Sequence, residues 1–171
     1  LAFLLLGYMA SACCTARTEV LCAGLACLDI ELLGCTAPRT VESIAPFRAP
    51  QYSAGGGAAQ AATALTALGL RTAAAYAAAD DAHGRALVDM LGEAHVEAHP
   101  ATADDGATPL AVLPVFEDGR RACFVSLGAA KTITQQVLVP DALLHAQLRA
   151  FHFGYPHLLP LLQGAGLHML L

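Results

Sequence analysis

Residues 53 to 79, "SAGGGAAQAATALTALGLRTAAAYAAA", constrain the fold more than any other stretch. Three glycines run directly into an alanine-rich segment. Ala58 to Leu68 is predicted to be a well-buried helix, since alanine has the highest helix propensity and no charge interrupts it. Gly69 stands where a terminating C′ glycine belongs. The run "RTAAAYAAA" then lies between that glycine stop and the helix-start pair Asp80-Asp81, so context overrides alanine's helical preference and predicts a short strand. Helix followed by buried strand is the repeating pattern of an α/β domain.

The alternation continues on both sides. "EVLCAGLACLDIELLG" predicts a buried strand reaching Gly24 and a second extended segment from Leu28 to Leu33. "CTAPRTVESIAPFRAPQYS" has three prolines and mixed polarity, and reads as loop or edge strand. Asp81 to Ala94 is predicted helical, with Leu87, Met90 and Leu91 on one face. "TPLAVLPVFEDGRRACFVSL" is a hairpin candidate, two apolar runs joined around Asp118-Gly119. Pro140 and Asp141 open a further amphipathic helix through Arg149, "AFHFGYP" is a strand with its loop, and "GLHMLL" is a last strand. The sum is a three-layer α/β fold with a mostly parallel sheet, to which the hairpin and the proline-rich segment add a small β appendage. A parallel strand stopping at Leu171 with no crossover after it leaves a sheet edge unfinished, and predicts that a C-terminal part is missing.

Composition narrows the function classes. At 171 residues, 56% hydrophobic and 13% charged, the chain fits one domain with a sizeable core. A net charge of −5 with nine Lys plus Arg lacks the basic stripe of a nucleic-acid surface. The apolar run "LAFLLLGYMASACC" is shorter than the roughly 20 residues of a membrane span, and no basic segment precedes it. Residues 1–18 are therefore set aside as an apolar leader without an assigned role, with no membrane partner and a cytoplasmic location expected. Six cysteines, at 13, 14, 22, 27, 35 and 123, are irregularly spaced and read as small thiols of a reducing compartment rather than three disulfides. Cys13-Cys14 has no CxxC partner, and His95 and His99 precede Pro100, where no helix would align them; no metal site is expected.

Three places could carry chemistry. Gly55, Gly56 and Gly57 either form an ordinary strand-to-helix turn or let a ligand approach bare backbone at a helix N-terminus. They match neither the phosphate loop, having no Gly-Lys-Ser/Thr, nor GxGxxG, because residue 60 is Gln60. Asp29, in "GLACLD", follows the first strand, where a carboxylate would face the crevice at the carboxyl ends of parallel strands. Its two acceptor oxygens suit neighbouring sugar hydroxyls, and the alternative is a turn or capping aspartate. Asp80-Asp81 reads as a helix cap, and Arg120 and Arg121 as solvated charges after the hairpin turn.

Taken in order, "VLCAGLACLDIELLG", "GGGAAQAATALTALG", "AADDAHGRALVDML" and "TPLAVLPVFEDGRRACFVSLGAA" resemble the N-terminal half of the ribokinase-like (pfkB) carbohydrate kinases, the first segment being especially similar to the ketohexokinases. The resemblance runs from Val20 to Leu171 and makes 19–171 the N-terminal portion of the kinase domain. It implies a phosphotransferase that moves the γ-phosphoryl of ATP, with Mg2+, to a sugar hydroxyl. It implies that Asp29 binds substrate hydroxyls, that Gly55, Gly56 and Gly57 lie against the sugar, and that Arg121 reaches the substrate or phosphate region. Gln60 stands where the family usually has Asn, Gly57 where Lys or Asn is frequent, and Ala130 where many members have Asn. The β appendage, roughly 31–52 and 107–127, corresponds to the family's lid over the substrate, which in some members also makes a homodimer contact. The family's Gly-Ala-Gly-Asp segment, source of the anion hole and the catalytic base, does not occur; Gly164-Ala165-Gly166 is followed by Leu167. No catalytic residue is therefore assigned within the chain, which alone is expected to be inactive. A nucleoside acceptor, or a non-catalytic sugar-binding remnant, are the alternatives.

Overall fold

Val20–Gly24 is apolar without a break and becomes an interior strand, β1. The computed structural model describes residues 18–38, 40, 42–103, 106–143 and 148–163. Around β1 lie β4 (Thr72–Ala78), β5 (Glu97–Thr102) and β8 (Ala150–Gly154), in the order β5-β4-β1-β8 and all parallel. Every residue of β1 and β4 is buried, the pattern of a parallel sheet covered on both faces.

That covering decides how an alanine-rich run becomes a strand. Val20, Cys22, Ala74, Tyr76 and Ala78 face Ala58, Ala59 and Ala62 of helix α1 (Gly56–Ala67) and Leu87 and Leu91 of helix α2 (Ala82–Glu93). Leu21, Ala23, Ala73, Ala75 and Ala77 face a third layer that includes Ile133, Leu138, Leu159 and Leu162. Leu138 closes the four-residue helix α3 (Gln135–Leu138), and Leu159 and Leu162 belong to the turns after β8. Alternate side chains of each strand thus enter different layers, which a strand does and a helix does not.

A second, mixed sheet has the order β3-β2-β6-β7. Its strands are β2 (Cys27–Cys35), β3 (Ala49–Gly55), β6 (Leu110–Phe116) and β7 (Phe124–Ser126). β2 runs antiparallel to β3 and parallel to β6, and β6–β7 is an antiparallel hairpin. The hairpin turns where Asp118-Gly119 predicts: Gly119 has φ +83°, and its N–H donates to the Phe116 carbonyl at 3.0 Å.

The structure departs from the sequence reading at four points. Residues 97–102 form a strand despite Pro100, because β5 lies at the sheet edge, where a residue without an N–H is tolerated. Helix α1 starts at Gly56, so two of the three glycines lie in its first turn. Asp29 lies not at the end of a strand of the parallel sheet but near the start of β2 in the second sheet. The helix expected from Pro140 to Arg149 is a short 3-10 turn, Asp141–Leu143, and Arg149 is not helical. There the Arg149 N–H donates to the Glu19 carbonyl at 2.7 Å and its guanidinium meets the Glu19 carboxylate at 3.1 Å, which commits this segment to entering β8. The apolar leader, save Thr18, and the expected strand "GLHMLL" lie outside the described residues.

Candidate substrate site

β1 ends at Gly24, with φ +126°, and a Cβ there would land on the Gly154 carbonyl at the end of β8. Only Leu25 and Ala26 then separate β1 from β2, so the chain crosses from one sheet to the other in a single step. The Leu25 carbonyl accepts the Ala58 N–H of α1 at 3.0 Å, fixing the helix start against this crossing.

The glycine triplet fits that junction, each glycine for a different neighbour. A Cβ on Gly55 would land on the Asp29 carboxylate. Gly56 has φ +82°, a region that favours glycine, and a Cβ on it would press on the Leu25–Ala26 backbone. A Cβ on Gly57 would stand 2.8 Å from Gly154 Cα. Protein therefore occupies the bare side of all three, and Asp29, the crossing loop and the end of β8 converge on the start of α1.

Beside this junction is a hollow of about 240 Å³, and Asp29, Gly56, Gln60 and Arg121 all line it. Gly55 and Gly57 are not part of its lining; they shape it from behind. Asp29 is 8% exposed, and its Oδ1 accepts the Cys27 thiol at 3.1 Å. Burial pushes the Asp29 carboxyl above the usual carboxylate range; the Cys27 hydrogen bond and the Arg121 charge oppose this, and the nearby Glu31 charge adds to it. Gln60 and Arg121 are exposed at the rim. The two hairpin arginines, alike in sequence, have different surroundings: Arg120 is tied to Asp118 at 2.7 Å, while Arg121 lines the hollow.

The remaining wall comes from residues the sequence reading did not assign to a site: Cys27, Ala111, Leu113 and Val125 from the second sheet, Cys123 just before β7, and Leu25, Tyr155 and Leu158 from the connecting segments. For the sheet residues a signal existed, since Cys27 and Asp29, and Ala111 and Leu113, are spaced two apart, the period of one strand face. For Tyr155 there was none. A larger groove of about 370 Å³ lies between α2 and β5, where Arg85 is paired with Asp80 at 2.9 Å; it contains none of the four predicted residues. Among the described residues, no group of three or more His, Cys, Asp or Glu side chains is placed to hold a metal ion. No described helix is long and apolar enough to cross a membrane.

A three-layer domain with a parallel sheet, bearing a second small sheet that walls a polar hollow, has the ribokinase-like fold, and solved structures bear this out. The chain is similar to a ribokinase from Arabidopsis thaliana, solved with ribose and ATP: 26% identity, TM-score 0.57, over 74% of this chain and 41% of that one. It is similar in fold to a microbiome-derived acarbose kinase, with 21% identity and TM-score 0.63 over 80% of this chain and 45% of that one. A fructokinase from Xylella fastidiosa matches with 21% identity and TM-score 0.59, over 80% and 42%. The chain thus spans about two fifths of the length of these structures. Comparison with curated protein sequences gives no match. The sequence model of the pfkB family carbohydrate kinases matches residues 17–162, and the chain belongs to that family.

Proposed function

We propose that this chain forms the acceptor-binding part of a kinase that transfers the γ-phosphoryl of ATP to a sugar hydroxyl. The observation that carries the reading is the meeting of Asp29, Gln60 and Arg121 in one hollow at the start of α1. Asp29 is the residue suited to hydroxyls. It is held by Cys27 through Oδ1, and it occupies the space that the missing side chain of Gly55 leaves open. That leaves Oδ2, and the second lone pair of Oδ1, to accept from neighbouring hydroxyls. Gln60 offers both a donor and an acceptor, and Arg121 brings positive charge to the rim, where an incoming phosphoryl group would need it.

ATP with its Mg2+ would supply the phosphoryl group and neutralise its charge. The solved Arabidopsis ribokinase carries ATP, and another, from Cryptococcus neoformans, carries ADP. Among the described residues no group of three or more His, Cys, Asp or Glu is placed to hold a metal ion, and the part we assign to this chain is to bind and orient the acceptor. No residue is assigned as the base that takes the hydroxyl proton. We place the lid function on the second sheet, whose inner face walls the hollow. Its outer face carries the row Tyr52, Ile30, Val112 and Phe124, with Tyr52 55% and Phe124 66% exposed, and this row is the surface for a homodimer contact.

Calorimetric titration with ribose and fructose tests the reading. Replacing Asp29 by Asn removes hydrogen bonds to a charged acceptor, each about 1.5–3 kcal/mol, so affinity falls roughly 10- to 100-fold. An Asp29→Asn variant that binds both sugars as well as the parent would sink the assignment. Incubated with labelled ATP and sugar, the 171-residue chain gives no sugar phosphate, and transfer above background would relocate the catalytic machinery into it.

A further inference from the structure

The Asp29 side chain does not stand straight out from its strand. In the β2–β3 pair Asp29 is matched with Ser53, and Cys27 with Gly55. Matched residues share one face of the sheet and side chains stand roughly perpendicular to it, so an upright Asp29 carboxylate would lie beside Ser53. It lies instead over Gly55, where an added Cβ would coincide with all three carboxylate atoms. The carboxylate therefore leans back along β2 by one same-face position, toward the start of α1.

A thiol holds the lean. Cys27 and Asp29 are two residues apart on one strand face, and Cys27 Sγ donates to Asp29 Oδ1 at 3.1 Å. Among the described residues this is the only hydrogen bond to the carboxylate. Cys27 is 3% exposed, and burial, with the Asp29 bond and charge, pushes its thiol far above the ordinary range, so it remains a donor at neutral pH. A rival stands opposite. Ser53 is half-buried, and its hydroxyl can donate to an upright carboxylate. The same side chain can thus rest in two places, one over Gly55 at the wall of the hollow and one beside Ser53, which is not part of that wall.

Resting on the reading of Asp29 as the hydroxyl binder, we infer that Cys27 is a positioning residue for the sugar site, its thiol selecting the leaning carboxylate over the one drawn to Ser53. The carboxylate is then already beside Gly56 and Gln60 when a sugar arrives, and affinity rises because binding need not order it. Charge gives a second readout. Asp29 is faced by Glu31 on its own strand, by Arg121 and Cys123 from the β6–β7 connection, and across the hollow by Gln60 of α1 and by Tyr155. Glu31 disfavours its charged form, whereas the Cys27 bond and Arg121 favour it. Deleting the thiol donor therefore raises the Asp29 pKa and moves the onset of sugar affinity to higher pH.

Calorimetric titration of the whole 171-residue chain with ribose and fructose, between about pH 4 and 8, tests this. Cys27→Ala should lower affinity roughly tenfold at neutral pH and move the midpoint upward, and Cys27→Val, which refills the space, should do the same. Cys27→Ser keeps a donor and should recover most of the loss. Removing the rival in Cys27→Ala/Ser53→Ala should restore part of the affinity that Cys27→Ala loses. If Asp29→Asn weakens binding but Cys27→Ala and Cys27→Val bind like the parent with an unmoved midpoint, the inference is overturned and the sugar-binding function stands. Cys27→Ser as weak as Cys27→Ala, or a double variant no better than Cys27→Ala, also overturns it. A folded parent that binds neither sugar, or whose binding ignores Asp29→Asn, removes the function and the inference together.

Discussion

Removing the Asp81 side chain should be among the most damaging single changes outside the core. Asp81 caps α2 by accepting the Gly84 N–H at 2.7 Å through Oδ1. Its other oxygen accepts the Thr108 N–H at 2.9 Å, and Thr108, 1% exposed, leads into β6. The Thr108 hydroxyl in turn accepts the Ala79 N–H at 3.0 Å, so this one carboxylate links the end of β4, the start of α2 and the second sheet. Loss of an N-cap costs about 0.5–2 kcal/mol. Orphaning the Thr108 N–H adds about 1–3 kcal/mol, because water does not reach it. Asp81→Ala should therefore lose roughly 2–4 kcal/mol in all. At an m-value of about 2 kcal/mol/M, within the usual range for small proteins, the urea midpoint falls by about 1–2 M. Burial pushes this carboxyl up, but the Thr108 and Gly84 donors and the His83 charge outweigh it and hold its pKa below the ordinary value. An aspartate of that kind stabilises fully above its unfolded pKa, about 3.9, and loses the contribution as pH falls through its lower folded value. The gap between parent and variant should stay constant from pH 6 to 8 and close below about pH 4. A midpoint shift equivalent to under about 0.5 kcal/mol, or a gap that widens in acid, would refute the account.

Two glycine-to-alanine changes should have opposite signs in the same denaturation assay. Gly57→Ala drives a Cβ to 2.8 Å from Gly154 Cα, and overpacking of about 1–3 kcal/mol outweighs the gain in helix propensity. Gly92→Ala, in α2 with nothing near its Cβ, should stabilise by up to about 1 kcal/mol. A brief iodoacetamide pulse read by mass spectrometry should label the exposed Cys123 before Cys22, Cys27 and Cys35. Burial holds the Cys22 thiol up at about 11, and burial with the adjacent Asp29 pushes Cys27 higher still. Because burial raises the Asp29 pKa and the charged form is the better acceptor, sugar affinity should rise with pH through a midpoint above about 3.9. The same raised pKa means that ionising Asp29 costs stability as pH climbs through that window, so Asp29→Asn should be no less stable than the parent at pH 7.

Most of the architecture was legible because its signals are local. Glycine at position 69 and the Asp118-Gly119 turn each serve a single terminus or turn, and the structure places both as read; it also places Asp81 as the cap of α2, while the second bond of Asp81, to Thr108, was not visible in the sequence. What the sequence concealed depended on partners far along the chain. Pro100 argues against a strand until β5 is known to be an edge, and Arg149 continues a helical pattern until Glu19 takes its backbone and its charge. The hollow divides the same way. Asp29 and Gly56 could be named from residue type and position, Gln60 and Arg121 only from the family resemblance, and the structure brings all four to one hollow. The aliphatic part of its wall could not be named, because only strand register sets Ala111 between Asp29 and Val125. The triplet glycines could be seen to need space, but not that Asp29, the crossing loop and Gly154 would fill it.

β1 lies between β4 and β8, and Val20 is matched with Ala150, a partner met only when nearly the whole described chain is in place. A ribosome adding about 5–20 residues per second needs on the order of ten seconds to travel that distance. For that interval one edge of a fully buried strand is unpaired, and closing so long a loop makes the final step slow. Holdases that shield hydrophobic nascent segments should therefore raise the yield of this protein.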